Sequence, residues 1–493
     1  MGMRTSPVTR NSARWPLVAL IALTALRLIV AAAVPLVPDE AYYWVWSRAL
    51  APGYPDHPPM VAIWIRIGTA LVGDSALGVR LLGPLAVAIA SLLLVDAADR
   101  LLPGRRAGLR AAALLNATLL FGVGGVLMTP DAPLLMFWTA CLWALARLLD
   151  SGRAWWWVVI GLFAGLAMAS KYTAALLWFG IGAWLLAAPS MRGWLRRPTP
   201  WLGALLGLAI FSPVVLWESQ HGWASFARQG GRIDAWQPAH AIRFLAELLL
   251  GQAGLITPLI FAFCIGGMIE ALRETWRTRD PAWTLLAALT LPAVVLFTQH
   301  ALGDRVQGNW PAIIYPAAGI AAGALCAPIW TRMMRPSVAL GLAITLLIYL
   351  QAGSALLPVP AGVDPIARQL AGWDAFADQV DAVRRQAGAD FVAADEYGVA
   401  AELARALPPG VTVIGVDTRW SLTDLPRAIP KGQIGVLVRS TRRSSQFDEA
   451  AWSHPVEIIQ AARQRGNETV EAFRLYRVAL AGNGADAVVL PRP

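Results

Sequence analysis

The chain has 493 residues, of which 57% are hydrophobic and only 15% charged, well below the roughly 25% charged residues of a soluble domain. Its apolar residues fall in blocks long enough to cross a bilayer, which takes about 20 residues per helix, so a soluble enzyme, a disordered chain, a collagen-like fibre and a secreted disulfide scaffold are excluded. The net charge of +10 does not point to nucleic acid, because most arginines sit in short loops between apolar blocks.

In chain order, spans are expected near 15–37, 76–96, 110–128, 132–149, 155–170, 173–188, 201–217, 252–271, 282–299, 311–328 and 337–357, eleven helices in all. The first follows Arg4, Arg10 and Arg14 and is too long for a signal-peptide core, so it reads as a retained span. Alternate loops carry the arginines: Arg100/Arg105/Arg106/Arg110, Arg153, Arg192/Arg196/Arg197, Arg273/Arg277/Arg279 and Arg332/Arg335. The positive-inside rule makes these cytoplasmic. The N-terminus is then cytoplasmic, and the odd span count leaves the C-terminus outside.

Two outer loops are long. The first, 38–75, contains amphipathic stretches at Ala41–Leu50 and Pro59–Val72, expected as helices lying along the membrane surface. The second, near 218–251, holds Trp223, Trp236, His221 and His240. All five histidines (His57, His221, His240, His300 and His454) fall on the outer side of this topology. Arg27 is mid-span, where an intramembrane charge pairs with a polar neighbour. Trp155-Trp156-Trp157 reads as an interfacial belt.

After Pro358 the composition turns polar. Short strand-like runs at Val411–Val416 and Ile434–Val438 alternate with helical patterns at Ala367–Gln386 and Val399–Leu407. The expectation is a polytopic α-helical membrane domain over 1–357 followed by a small extracytoplasmic α/β domain over 358–493. Cys141, Cys264 and Cys326 lie in apolar blocks with no CxxC spacing, so neither a disulfide framework nor a thiolate metal site is expected.

Polar residues gather at outer span ends. Asp39-Glu40 opens the first outer loop and Asp56-His57 lies further along it. Thr129-Pro130-Asp131 sits between spans three and four, and Ser170-Lys171-Tyr172 between five and six. Glu218 follows span seven. His300, Asp304, Arg305 and Asn309-Trp310-Pro311 precede span ten. Each has an ordinary reading: Asp39, Glu40 and Asp131 suit helix starts, and Lys171 suits a snorkelling anchor. Lys171 stands out because only it and Lys431 are lysines among 41 basic residues. Together, carboxylates and cations beside lipid at one face suit a substrate with a phosphate at headgroup level and a tail in the bilayer.

The order and sidedness of these motifs resemble the GT-C superfamily of lipid-linked glycosyltransferases. The branch is that of the lipid A aminoarabinose transferases and protein O-mannosyltransferases, and the resemblance is strongest over 37–175. It implies transfer of a sugar from a polyprenyl-phosphate donor to an envelope acceptor, lipid A or a related glycan, with inversion. It assigns Asp39, with Glu40 beside it, as catalytic. His57, Lys171, Tyr172, Arg305 and Asn309 become substrate-binding candidates. Asp56 and Asp131 become candidate oxygen ligands for a divalent cation such as Mg, Mn or Zn. His57 stands where the aminoarabinose transferases usually have Lys, and it binds phosphate as a cation only when protonated. No nucleotide cofactor is expected, since neither a phosphate-binding loop nor a dinucleotide fingerprint occurs. Three alternatives carry less: a protein O-mannosyltransferase-type enzyme, a lipid or sugar transporter, which would show mid-membrane polar residues and broken repeats, and a scaffold subunit. The setting implied is the inner membrane, multi-pass.

Overall fold

In the computed structural model the described residues are 14–230, 238–427, 433–443, 452–480 and 487–493. Arg4, Arg10, Trp236 and Lys431 lie outside them, as does the side chain of His454. Six helices are long and apolar enough to cross a membrane: Arg14–Ala33, Ala76–Leu101, Asp131–Ser151, Pro198–Gln220, Pro281–Ala301 and Pro328–Ser354. Each coincides with an expected span. Two helix pairs pass the same test only when taken together across sharp bends, Tyr172–Ala187 with Pro189–Arg196 at 112° and Ala241–Ile256 with Pro258–Thr278 at 108°.

The eleven expected spans are therefore not eleven continuous helices. The expected 110–128 span breaks into Ala107–Asn116 and Leu119–Gly122. Asn116 turns its side chain to Arg27 and to the Ser91 hydroxyl, at 3.0 and 2.8 Å. Thr118 then caps the next turn by accepting from the Phe121 amide at 3.2 Å. Gly122, Gly124 and Gly125 follow, residues that weaken a helix. The expected 311–328 span is a 3-10 turn, Trp310–Ile314, leading into a short buried helix, Tyr315–Gly323, in keeping with Pro311 and Pro316. The 252–271 block breaks at Thr257, whose φ is +68°, before Pro258. The 155–170 block shortens to Trp156–Met168.

Helices Trp156–Met168 and Pro198–Gln220 meet backbone to backbone. A Cβ on Gly161 would lie 2.0 Å from the Gly203 carbonyl oxygen, and one on Gly165 would lie 2.9 Å from Gly207 Cα. Small residues four apart permit this approach between membrane helices. Arg27 behaves as expected of a buried intramembrane charge, donating to both the side chain and the carbonyl of Asn116.

The two stretches of the first outer loop are helical, at Pro38–Arg48 and Met60–Val72. The first does not lie free on a surface. Residues Glu40 through Ser47 are all buried, because the C-terminal sheet domain covers it.

Among the described residues that domain has six strands: β1 Phe391–Ala394, β2 Thr412–Gly415, β3 Ile434–Ser440, β4 Trp452–Arg465, β5 Glu468–Leu480 and β6 Val488–Val489. Their order is β4-β5-β3-β1-β2-β6. β1 runs parallel to β2 and β3, while β4–β5, β3–β5 and β2–β6 are antiparallel. Helices Trp373–Gln386 and Tyr397–Ala406 match the expected helical patterns. The second forms the β1-to-β2 crossover, and its other side packs on Pro38–Arg48. A clamp holds this contact. Arg405 and Arg48 both lie over the Trp44 ring, at 4.6 and 5.0 Å, and both pair with Asp74. The Trp44 indole N–H donates to Asp74 at 2.7 Å.

Candidate active site

Pro38 starts its helix at the first helical position, where a missing N–H costs nothing. Asp39 and Glu40 follow in the first turn, yet their surroundings differ completely. Glu40 is fully buried. Arg80 grips it from two sides, Nε to Oε1 at 2.7 Å and Nη2 to Oε2 at 2.5 Å. The Met128 and Val37 amides donate to the same carboxylate at 2.8 and 3.0 Å. Arg80 also donates to the carbonyls of Ala31, Val34 and Pro35, which close the end of the first span. Glu40 is thus a latch between the first span, the 38–48 helix and the loop before Thr129. With four donors on its two oxygens and no solvent contact, it has no vacant lone pair facing a substrate. This corrects its assignment beside Asp39 as catalytic.

Asp39 is exposed and keeps a carboxylate face open. The Tyr397 hydroxyl of the sheet domain donates to its Oδ1 at 2.9 Å. The protein mass around the carboxyl end raises its pKa above the usual aspartate value. The Tyr397 hydrogen bond and Arg419 pull it back down, while Asp56 and Glu40 add to the rise. A raised carboxylate is a better proton acceptor at neutral pH.

Asp56 sits at the junction of three segments. Tyr42 donates to Oδ2 at 3.1 Å, Arg228 donates to Oδ1 at 2.8 Å, and Arg419 lies 3.8 Å from Oδ2. Burial pulls Arg419 down, but Asp56, Tyr42 and Tyr397 lift it above its usual value, so its charge is secure. The loop carrying Asp56 is tied to the 218–230 segment by Ser225, which donates to the Tyr54 carbonyl at 2.8 Å. It is tied to the Lys171 turn by the Met60 amide, which donates to the Ala169 carbonyl at 3.1 Å. His57 is half-buried, its ring 6.2 Å from that of Tyr43.

A second cluster joins three expected residues. Lys171 donates to Asp131 Oδ1 at 2.8 Å and Asn309 donates to Oδ2 at 2.6 Å, with Lys171 and Asp131 only 5% and 7% exposed. Residues from three turns far apart in the sequence therefore converge. Tyr172 donates to Glu218 at 2.9 Å, and Glu218 also accepts from the Ser225 amide. Tyr43 is buried, and its surroundings push its pKa well up, first through burial and then through the nearby charges of Asp39, Asp56, Tyr397 and Asp131.

Arg305 is not drawn into this cluster. It is exposed and makes a two-point pair with Glu247 at 2.6 and 3.1 Å. The donor set also argues against a cation held by Asp56 and Asp131. Their oxygens already accept from Arg228, Tyr42, Lys171 and Asn309, and among the described residues no three His, Cys, Asp or Glu side chains gather as a metal site.

Sequence reasoning missed Arg80, Tyr42, Tyr43, Arg228, Tyr397 and Arg419. A charge inside an apolar block was the available signal for Arg80. Nothing in the spacing links Tyr397 to Asp39 across 358 positions.

Residues 56–217 match the family described as dolichyl-phosphate-mannose-protein mannosyltransferase. The chain is 29% identical over 370 residues to the lipid A galacturonosyltransferase RgtD of Rhizobium johnstonii, covering 74% of this chain and 76% of that protein. It is 30% identical over 312 residues to the undecaprenyl phosphate-alpha-4-amino-4-deoxy-L-arabinose arabinosyl transferase of Pseudomonas aeruginosa. That match covers 57% of this chain and about half of the relative, 53%. Its fold is similar to that of ArnT from Cupriavidus metallidurans, solved bound to undecaprenyl phosphate, with a TM-score of 0.62 at 16% identity over 94% of this chain and 97% of that one.

Proposed function

Taking the chain as a membrane glycosyltransferase of the GT-C type, we propose that it moves one sugar from a polyprenyl-phosphate donor to lipid A or a related envelope glycan. Asp39 carries this reading: it is an open carboxylate of raised pKa held by a tyrosine, beside the paired charges of Asp56 and Arg419. Asp39 takes the proton from the acceptor hydroxyl as its oxygen attacks the anomeric carbon. The bond from that carbon to the phosphate oxygen breaks, its electron pair leaves with the polyprenyl phosphate, and the centre inverts. Lys171 meets the charge that develops on the phosphate. Its ammonium is held at a fixed point by Asp131, which Asn309 holds in turn. Arg228 offers a second cation on the far side of Asp56. Tyr172 and His57 border the space for the sugar. In this orientation the N-terminus is cytoplasmic and the sheet domain extracytoplasmic.

The test is transfer by purified protein in lipid nanodiscs. Undecaprenyl-phosphate sugars serve as donors and lipid A as acceptor, and products are read by mass spectrometry. Asp39→Asn should abolish product while the melting temperature stays within a degree or two, since it keeps the shape and removes the basic oxygen. Near-full turnover by that variant would remove Asp39 from the reaction. Transfer to a serine-containing peptide but never to lipid would replace lipid A with a protein acceptor.

A further inference from the structure

The sheet domain touches the membrane domain at the face of the catalytic carboxylate, and it does so with side chains suited to work there. Tyr397 opens its helix and places its hydroxyl 2.9 Å from Asp39 Oδ1. Its ring packs on Tyr42 at 4.5 Å between centroids, and Trp420 packs on Tyr42 from the same domain at 5.1 Å. The Arg419 guanidinium lies 4.1 Å from the Tyr397 ring centroid and 3.8 Å from Asp56 Oδ2. One arginine therefore spans the tyrosine that holds Asp39 and the second site carboxylate. The approach is close: a Cβ on Gly398 would lie 2.9 Å from the Pro38 Cβ. With the Arg405–Trp44–Arg48 clamp beside it, this contact fixes geometry to within a side-chain rotamer.

We propose that the sheet domain is a working part of the transfer site, with Tyr397 a positioning residue for Asp39 and Arg419 the residue that keeps Tyr397 and Asp56 in register. This rests on the transfer reading given above. By donating to Oδ1, Tyr397 fixes the rotation of the carboxylate and leaves Oδ2 as the oxygen that receives the acceptor's proton. Placement of the reacting atoms matters at this scale, since small misplacements in a site cost large factors in rate. The Arg419 stack limits swing of the Tyr397 ring, and its charge offsets the crowding of Asp39, Glu40 and Asp56. Neither residue needs to touch the sugar.

The charged and titratable groups facing Asp39 are Glu40 and Tyr43 on its own helix, Asp56 on the 38–75 loop, and Tyr397 and Arg419 on the sheet domain. A hydroxyl donating to Asp39 favours the ionised carboxylate. Tyr397→Phe keeps the ring and removes that donor. We expect kcat to fall roughly tenfold or more, the scale of a hydrogen bond to a charged group. KM for the polyprenyl-phosphate donor should stay near the native value. The acidic limb of the kcat profile should move to higher pH, because Asp39 then holds its proton longer. Arg419→Ala should move the same limb the same way, and Arg419→Lys should recover part of the rate.

Carbodiimide labelling of Asp39 across pH, mapped by mass spectrometry on the full chain, supplies a readout independent of turnover. Its pH midpoint should rise in Tyr397→Phe. An active native protein whose Tyr397→Phe variant keeps the native kcat, pH limb and labelling midpoint would overturn the inference and leave the transfer reading intact. A native protein inactive with every lipid-linked sugar would overturn the transfer reading, and the inference with it. A loss of rate with an unmoved labelling midpoint and pH limb would make Tyr397 a packing residue only, which also overturns it.

Discussion

Glu40 and Arg80 allow a sharp separation of structural from chemical roles. Both side chains are wholly buried, and they face each other in a two-point pair at 2.7 and 2.5 Å. Removing one partner of such a pair leaves an uncompensated buried charge and costs about 3–5 kcal/mol. In Glu40→Ala the Met128 and Val37 amides also lose their acceptor, which adds about 1 kcal/mol or more for each one left unmet. Glu40→Gln keeps the volume but sets an amide NH2 against donors, so it should fall in the same 3–5 kcal/mol range. Replacing both residues, as Glu40→Met with Arg80→Met, removes the stranded charge and should recover part of the loss. It should not recover all of it, because the carbonyls of Ala31, Val34 and Pro35 lose the donors Arg80 gave them, at about 1 kcal/mol each. The assay is thermal unfolding in detergent, followed by the soluble fraction, with turnover measured per folded molecule. Both single variants should melt early, the double variant should lie between them and native, and turnover per folded molecule should track the melt. A Glu40→Gln protein that melts like native yet makes no product would refute the latch and return Glu40 to the chemistry.

Lys171→Ala leaves the buried Asp131 carboxylate held by Asn309 without its cation and should cost about 3–5 kcal/mol. The double variant Lys171→Ala, Asp131→Asn should regain stability but not turnover. Full turnover in the double variant would show that Lys171 serves packing alone. Glu402 lies on the helix that carries Tyr397, and burial raises its pKa to about 8. A carboxyl whose folded pKa exceeds its unfolded value, near 4.5, favours folding while protonated and works against it as pH rises from there towards 8. Glu402→Gln should therefore raise the melting temperature at pH 8 and change little at pH 4.5, and a shift of equal size at both would exclude titration as the cause. A reporter active only in the cytoplasm, fused after Pro493, should be silent, and activity there would invert the proposed orientation.

The long apolar blocks placed the membrane helices well where the helix is unbroken, as at Asp131–Ser151 and Pro281–Ala301. They failed where polar or backbone-breaking residues interrupt a block, as at Asn116 and Thr257-Pro258, because mean hydropathy does not register a bend. In the sheet domain the apolar runs of β2 and β3 were readable. The β4–β5 hairpin was not, since its strands mix Arg, Glu and Gln with small residues and present no clean alternation. At the site, residue type and sidedness singled out Lys171, Asp131 and Asn309, which the structure brings into contact, and the pair Asp39-Glu40. They did not distinguish Asp39 from Glu40, because neighbouring positions on a helix point about 100° apart and only packing reveals which one meets Arg80. Arg305 looked equivalent to Lys171 by the same criteria, and its exposed pairing with Glu247 is a tertiary fact. Contacts between distant segments, such as Tyr397 with Asp39, leave no trace in local pattern.

The hydrogen bond from Tyr397 to Asp39 also has a consequence in time. Its partners are 358 positions apart, so the ribosome makes one long before the other. At a synthesis rate of roughly 5–20 residues per second, the membrane helices have tens of seconds to insert while Asp39 has no tyrosine above it. If that tyrosine sets the carboxylate, the orientation of Asp39 is completed only when the later-made sheet domain packs its Tyr397–Ala406 helix on Pro38–Arg48.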